Sequence, residues 1–370
     1  MDYRAALRER SGVGEYTHQL AAALLRLVRP NGSAPSLELA LFSSSWRDRF
    51  RREPELSGAT AIDARVPVSI LNLAWHRFGW PPAEIITRRS FDITHSLHPL
   101  MLPSRSAAAV ITIHDLDFLS HPERTRAEVR RDYPALVRVH AHRAARIITV
   151  SEFTAGDIAR RLDVPRERIS VCTPGAPDWT PRSERPADGY VLFFGTLEPR
   201  KNVGGLLDAY ERLAGRTPGS HVPSLVLAGK ATEASRAWLD RIARPPLNAV
   251  VRHVGYVPPP ERQKLYAGAR LLVQPSFDEG FGMPVLEAMT FGVPVVAANR
   301  GALPEVLGDA GLLVDPERPA IIAAAIDRML VDHAFAADCV ARGIARARAF
   351  SWHRTAQRVY DTYQLACGLA

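Results

Sequence analysis

Lysine is nearly missing from this 370-residue chain: of 47 basic residues only Lys201, Lys230 and Lys264 are lysine, and the rest are arginine. A chain so biased keeps an ammonium where a compact point charge serves better than a guanidinium, so Lys201 is the lysine to weigh most. Cysteine is scarce too. Cys172, Cys339 and Cys367 are three in number and widely spaced, which excludes a disulfide framework and a Cys-based zinc site. No run approaches the roughly 20 apolar residues of a membrane span, and residues 1–10 are charged and hold no apolar signal core. Those absences predict a cytoplasmic protein, at most peripheral at the inner face of the membrane. The formal charge of +8 and pI near 9.7 imply attraction to polyanions. No nucleic-acid module accompanies the charge, so nucleic acid is not the expected partner. An anionic membrane and a nucleotide diphosphate both remain. The densest basic stretch, 124–146, interleaves Glu128 and Asp132, as a solvated amphipathic helix does.

The length predicts two domains. Short apolar runs alternate with helical patterns, which reads as repeated βα units with parallel sheets. Strands are expected at 37–42, 61–68, 91–95, 108–114, 147–150 and 169–173, then at 190–194, 225–228, 250–254, 271–274, 293–297 and 311–314, with a first helix at 14–28. Residues 174–189 are proline-rich without apolar periodicity, a linker signature. The expected division is 1–178 for the first domain, 179–189 for the linker, 190–351 for the second domain, and 352–370 for a last helix. A glycine loop such as Ser11-Gly12-Val13-Gly14 normally follows a strand, and only residues 1–3 stand where it would be, so the first strand is expected to be missing.

Four segments carry chemistry. In Phe277-Asp278-Glu279-Gly280-Phe281-Gly282-Met283-Pro284-Val285-Leu286-Glu287 the glycines allow close backbone approach, Pro284 suits the first helical position, and free amides at the helix start suit an anion. Glu279 then precedes the helix and Glu287 falls on its first turn. In Gly195-Thr196-Leu197-Glu198-Pro199-Arg200-Lys201-Asn202 two cations leave a strand beside a helix start, a site for two phosphates. Gly12-Val13-Gly14 opens a helix whose amides would point into an interdomain cleft. Thr112-Ile113-His114-Asp115 ends a buried strand at the same edge, and His95 and His98 follow another. His95, His98 and His114 are zinc-ligand types, but no metal site is expected from them.

Together these segments resemble the retaining glycosyltransferases of family 4, the glycosyl transferases group 1 with the GT-B fold. The carriers are the Glu-x7-Glu pair Glu279/Glu287 and the Gly-x-Leu-x-x-x-Lys-Asn run ending at Asn202. His114-Asp115-Leu116-Asp117-Phe118 and Leu303-Pro304-Glu305-Val306 look most like the bacterial mannosyltransferase members. The resemblance implies an α/β architecture of two Rossmann-like doubly wound domains facing a cleft, with a C-terminal helix crossing back to the first. It implies that Glu279 faces the donor sugar, Glu287 the ribose, and Arg200 and Lys201 the diphosphate. Gly14, Gly195, Thr196, Gly280, Phe281, Gly282, Met283, Pro284 and Val285 would line the donor. Gly12, His98, His114 and Asp115 would face the acceptor, with His114 near the transferred sugar and counted, with Glu279, Arg200 and Lys201, among the catalytic groups. No cofactor is implied. The donor would be GDP-mannose, or a UDP-hexose such as UDP-glucose, and the acceptor a saccharide or lipid-linked saccharide in envelope polysaccharide synthesis. On this reading Lys201→Ala and Glu287→Ala abolish most transfer with the fold intact. The rivals are a nucleotide-sugar epimerase of the same fold and a non-catalytic scaffold held peripherally at an anionic membrane.

Overall fold

The computed structural model describes residues 1–7, 10, 12–27, 37–51, 53–122, 127–215 and 222–369, with the backbone alone for 127–132. Ser11, Val28 and residues 124–126, which fall in the stretches named above, lie outside the described residues. The chain divides into two compact units, one of residues 1–175 with 351–370 and one of residues 176–350.

The first unit holds strands β1 (Ala40–Ser44), β2 (Thr60–Ala64), β3 (Ile93–Ser96), β4 (Ala108–Ile113), β5 (Arg146–Thr149) and β6 (Ile169–Val171). Its helices are α1 (Val13–Leu27), α2 (Val68–Phe78), α3 (Ala83–Thr87), α4 (Asp117–Ser120), α5 (Ala127–Arg143) and α6 (Glu152–Leu162). β3-β4-β5-β6 form one parallel sheet, and β1 and β2 pair in parallel. Asp2 bridges Phe42 in parallel, and its N–H donates to His95 O at 2.8 Å. Residues 1–3 therefore run between β1 and β3 and link the two sets. Outward from that line the chain builds β1 then β2 on one side and β3 to β6 on the other, so the order reverses there. The expected strand 61–68 stops at Ala64, because Pro67 has no N–H to give a ladder and instead precedes α2. Ser151 caps α6 by accepting from Thr154 N.

The second unit holds β7 (Tyr190–Phe194), β8 (Leu225–Ala228), β9 (Val251–Gly255), β10 (Ala269–Gln274), β11 (Val295–Ala298) and β12 (Leu312–Val314). Its helices are α7 (Val203–Ala214), α8 (Arg236–Ile242), α9 (Pro259–Ala267), α10 (Met283–Phe291), α11 (Leu303–Leu307), α12 (Pro319–Val331) and α13 (His333–Ala347). All six strands are parallel in the order β12-β11-β10-β7-β8-β9. Strands so covered are apolar on both faces, and Val191, Leu192, Phe193, Leu271, Leu272 and Val273 are all fully buried. Much of the stretch read as a linker packs on this unit. Trp179 sits edge-on to Phe291, while Arg182 donates to Gly292 O and Arg185 to Met329 O.

The last helix, α14 (Trp352–Ala366), belongs to the first unit, where it lies on α1 and on β4, β5 and β6. Tyr363 OH meets His95 Nδ1 at 2.7 Å, and Trp352 packs on Tyr16. All three cysteines are free. No helix among the described residues is long and apolar enough to cross a membrane.

Candidate functional site

In an open α/β sheet, ligands sit beyond the carboxyl ends of the strands where the order reverses. In the second unit that point lies between β7 and β10, which are neighbours although β8 and β9 intervene in sequence. The loop leaving β7 carries Gly195, Thr196, Arg200 and Lys201, and the loop leaving β10 carries Glu279 to Gly282. Phe277 N donates to Arg200 O at 2.8 Å and ties the two loops together. Asn202, in the left-handed region at φ 55°, caps α7 by accepting from Gly205 N.

Lys201 and Glu279 are both buried, and Lys201 Nζ donates to Glu279 Oε1 at 2.5 Å. The same oxygen accepts from Gln274 Nε2 at 3.0 Å and Ser276 Oγ at 2.9 Å, while Oε2 lies 3.5 Å from Arg200 Nη1. Burial alone would push the Glu279 carboxyl up, but the Lys201 and Arg200 charges outweigh it and hold its pKa down at about 2. Burial and then the Arg200 charge lower the pKa of Lys201, and Glu279 offsets part of that. Lys201 is thus already paired, rather than the unaccompanied point charge its scarcity suggested.

The helix α10 starts at Met283 after Gly282, whose φ is 103°, and no side chain caps its amides. Pro284 is therefore the second helical residue, not the first. Glu287 is the fifth and falls on the second turn, not the first. Its Oε2 accepts from Tyr266 OH at 2.8 Å, and Arg262 Nη1 is 3.5 Å from Oε1. Gly280, Phe281 and Val285 are buried, and Met283 and Pro284 are half-buried.

The remaining expected site residues lie in the first unit. Gly12 O accepts from Tyr16 N and starts α1. Gly14 serves packing: a Cβ there would lie 2.5 Å from Ala5 O. His114 follows β4, with Nε2 3.2 Å from Leu97 O and its ring edge-on to Tyr16. Burial pushes its pKa down to about 4, and Asp115 offsets only part of that, so the ring is neutral at pH 7. A neutral ring donating to Leu97 O keeps the lone pair on Nδ1. Asp115 Oδ1 accepts from Asp117 N. His98 takes Leu100 N on Nδ1 and meets Asp2 Oδ2 at 3.2 Å through Nε2. His95 has both nitrogens engaged, by Tyr363 OH and Thr112 Oγ1. The three histidines thus have separate partners, and among the described residues they are not gathered into one cluster of metal-ligand atoms. Among the described residues His18, Glu53 and Glu55 do converge, but Arg10 already holds Glu53 at 3.0 Å.

Sequence reasoning missed Gln274, Ser276, Arg262 and Tyr266, which position the two glutamates. The signal for Gln274 was a polar residue ending a buried apolar strand. Gln274 Oε1 is buried with no hydrogen-bond partner among the described residues, an acceptor left beside Glu279. Gly301, just before the Leu303-Pro304-Glu305-Val306 run, has a structural role beside this site. Its φ is 60°, and a Cβ there would lie 2.7 Å from both the N and the O of Glu279, so only glycine lets this loop back the carboxylate.

Residues 10–178 match the family model described as Glycosyltransferase Family 4, and residues 188–332 match the one described as Glycosyl transferases group 1. The chain is 39% identical to O-antigen chain mannosyltransferase B of Escherichia coli over 71% of this chain and 72% of that protein. Sucrose-phosphate synthase from Thermosynechococcus elongatus aligns at a TM-score of 0.75 and 20% identity, over 98% of this chain and 97% of that one. Anabaena HepE in complex with UDP-glucose aligns at 0.68 and 18%, over 96% and 97%. At such identities the two structures speak to the fold.

Proposed function

The chain belongs to the glycosyltransferases of family 4, of the group 1 type, and from that membership we propose that it transfers a mannosyl residue from a nucleotide diphosphate sugar to a saccharide acceptor, with retention, in envelope polysaccharide synthesis. Its fold is the family's GT-B arrangement of two Rossmann-like units, and it is a glycosyltransferase. The observation that carries the finer reading is the buried Lys201–Glu279 pair at the β7/β10 reversal, beside the uncapped start of α10.

Sugar transfer builds positive charge on the anomeric carbon and negative charge on the departing diphosphate. Arg200, Lys201 and the first amides of α10 supply fixed positive potential for the diphosphate, a role that needs no metal or cofactor. Glu279, held ionised, has Oε2 for a hydroxyl of the donor sugar and bears on the developing positive charge. Gln274 Oε1 accepts a second hydroxyl. Glu287, oriented by Tyr266 and Arg262, accepts from the ribose. Gly195, Thr196 and the loop from Gly280 to Val285 line the donor, and Gly14 joins them on the resemblance alone. In the first unit, the bare Nδ1 of neutral His114 accepts from a sugar hydroxyl, with His98, Asp115 and Gly12 on the acceptor side.

GDP-mannose is the first donor, since the relative's name specifies mannose, and a UDP-hexose the second. The acceptor is a free or lipid-linked saccharide. A peripheral contact with anionic membrane is part of the reading, supported by the exposed apolar side chains Trp46, Ile70 and Trp80 and by the exposed Arg47, Arg49 and Arg51 that follow Trp46 in the chain. The epimerase and the idle scaffold gain nothing from the relative, which is named as a transferase. A thermal-shift panel tests the donor: GDP-mannose at 100 times Kd should stabilise by about 2.7 kcal/mol through mass action. No shift with any nucleotide-sugar would overturn the assignment.

A further inference from the structure

The first unit contains a cavity of about 1150 Å³ formed by residues of that unit alone. It opens where the sheet order reverses between residues 1–3 and β3, with Asp2, Arg4 and His98 at its floor. Small-ligand sites usually measure roughly 300–1,000 Å³, so a single hexose would leave most of this one to water.

Its two sides differ in chemistry. On the floor Arg4 grips buried Asp2 through Nε at 2.9 Å and Nη2 at 2.7 Å, and His98 Nε2 adds a contact to the same carboxylate at 3.2 Å. Arg4 Nη1 donates to Asn72 Oδ1 at 2.8 Å, which turns the Asn72 amide so that its N–H donors are left for a ligand. The Arg4 guanidinium also lies 4.9 Å from the Trp75 ring, so this floor is fixed before anything binds. Fixed donors and acceptors at this spacing suit hydroxyls. The walls are apolar: Leu73 and Phe78 on α2 are 65% and 74% exposed, and Val139 on α5 is 50% exposed. Large apolar side chains lining a concave site above a polar floor lack a partner of their own kind.

We infer that this cavity binds an amphiphilic acceptor, with a saccharide head on Asp2, Arg4, His98 and Asn72 and an apolar aglycone chain along Leu73, Phe78 and Val139. The inference rests on the transferase reading for the word acceptor, while the cavity's preference for an amphiphile can be measured without any donor.

Calorimetric titration of the full chain with octyl α-mannoside and methyl α-mannoside, both below micelle-forming concentration, reads that preference directly. The octyl glycoside should bind at least tenfold tighter. The double variant Leu73→Ser/Phe78→Ser alters exposed side chains, so its melting temperature should stay near wild type, and its preference should fall below threefold. Asn72→Ala should weaken both glycosides by a similar factor. Equal affinity for the two glycosides, or an octyl preference unchanged in the double variant, overturns the inference. Octyl preference lost in the double variant, with no stabilisation by any nucleotide-sugar, would uphold the cavity and sink the donor assignment.

Discussion

Lys201 Nζ lies 2.5 Å from Glu279 Oε1 across 78 residues of sequence, and the contact makes one electrostatic object of two loops from adjacent strands. Neither charge could be buried there alone.

Removing one partner strands the other. Lys201→Ala is expected to cost roughly 3–5 kcal/mol of stability as well as most transfer, so the expectation of an intact fold does not carry over to this position. Lys201→Met combined with Glu279→Gln removes both charges and should recover most of the stability and none of the activity. Urea unfolding of the single and double variants measures the coupling, and additive losses would contradict it.

Acid should find the pair. The Glu279 pKa of about 2 lies below an ordinary glutamate's 4.5, so the unfolded chain takes up the proton first. Its contribution, on the order of 3 kcal/mol, is complete above about pH 4.5 and lost as pH falls toward 2. Lys201 acts on the other limb: its lowered pKa makes stability rise with pH as the unfolded lysine's 10.5 is approached. Glu279→Gln should flatten the acid limb of a plot of urea midpoint against pH, and an unchanged limb would count against the assignment.

Gly301→Ala places a methyl carbon against the Glu279 backbone. It should cost about 1–3 kcal/mol and lower kcat/KM at least tenfold. Gly255→Ala is the control, because Gly255 has φ 74° with open space around its Cβ position. It should show the strain and keep the activity, as steady-state kinetics beside thermal melts would report.

Tyr266→Phe removes the 2.8 Å hydrogen bond that aims Glu287. Nucleoside diphosphate affinity should fall severalfold, near the ~1 kcal/mol of one hydrogen bond. Glu287→Ala should weaken it further, by calorimetric titration with GDP.

Trp46→Ser, Ile70→Ser and Trp80→Ser together should reduce co-sedimentation with vesicles containing anionic phospholipid. Whatever binding the arginines contribute should decline as salt rises.

Strands β7 and β8 were legible to the residue, because each is a short apolar run bounded by glycine, proline or charge. The strand expected at 61–68 overran because Val66 and Val68 look like strand residues and Pro67 between them acts as a helix start. Glu279, Lys201 and the glycines between the strands and helices were legible because their local pattern is unusual. Gln274, Ser276, Arg262 and Tyr266 were not, since each is ordinary in its own element and gains meaning only when neighbouring elements are brought together. The floor of Asp2, Arg4, Asn72 and His98 is assembled from three separate segments, and of its residues the sequence pattern pointed to His98 alone.

The return of α14 sets an order of assembly on the ribosome. The second unit, residues 176–350, is contiguous and has all its residues before α14 is made. The first unit begins synthesis earlier but must wait, with Tyr16 and His95 lacking Trp352 and Tyr363, until residues 351–370 have emerged. The half of the chain that is translated first is therefore the last to close its core.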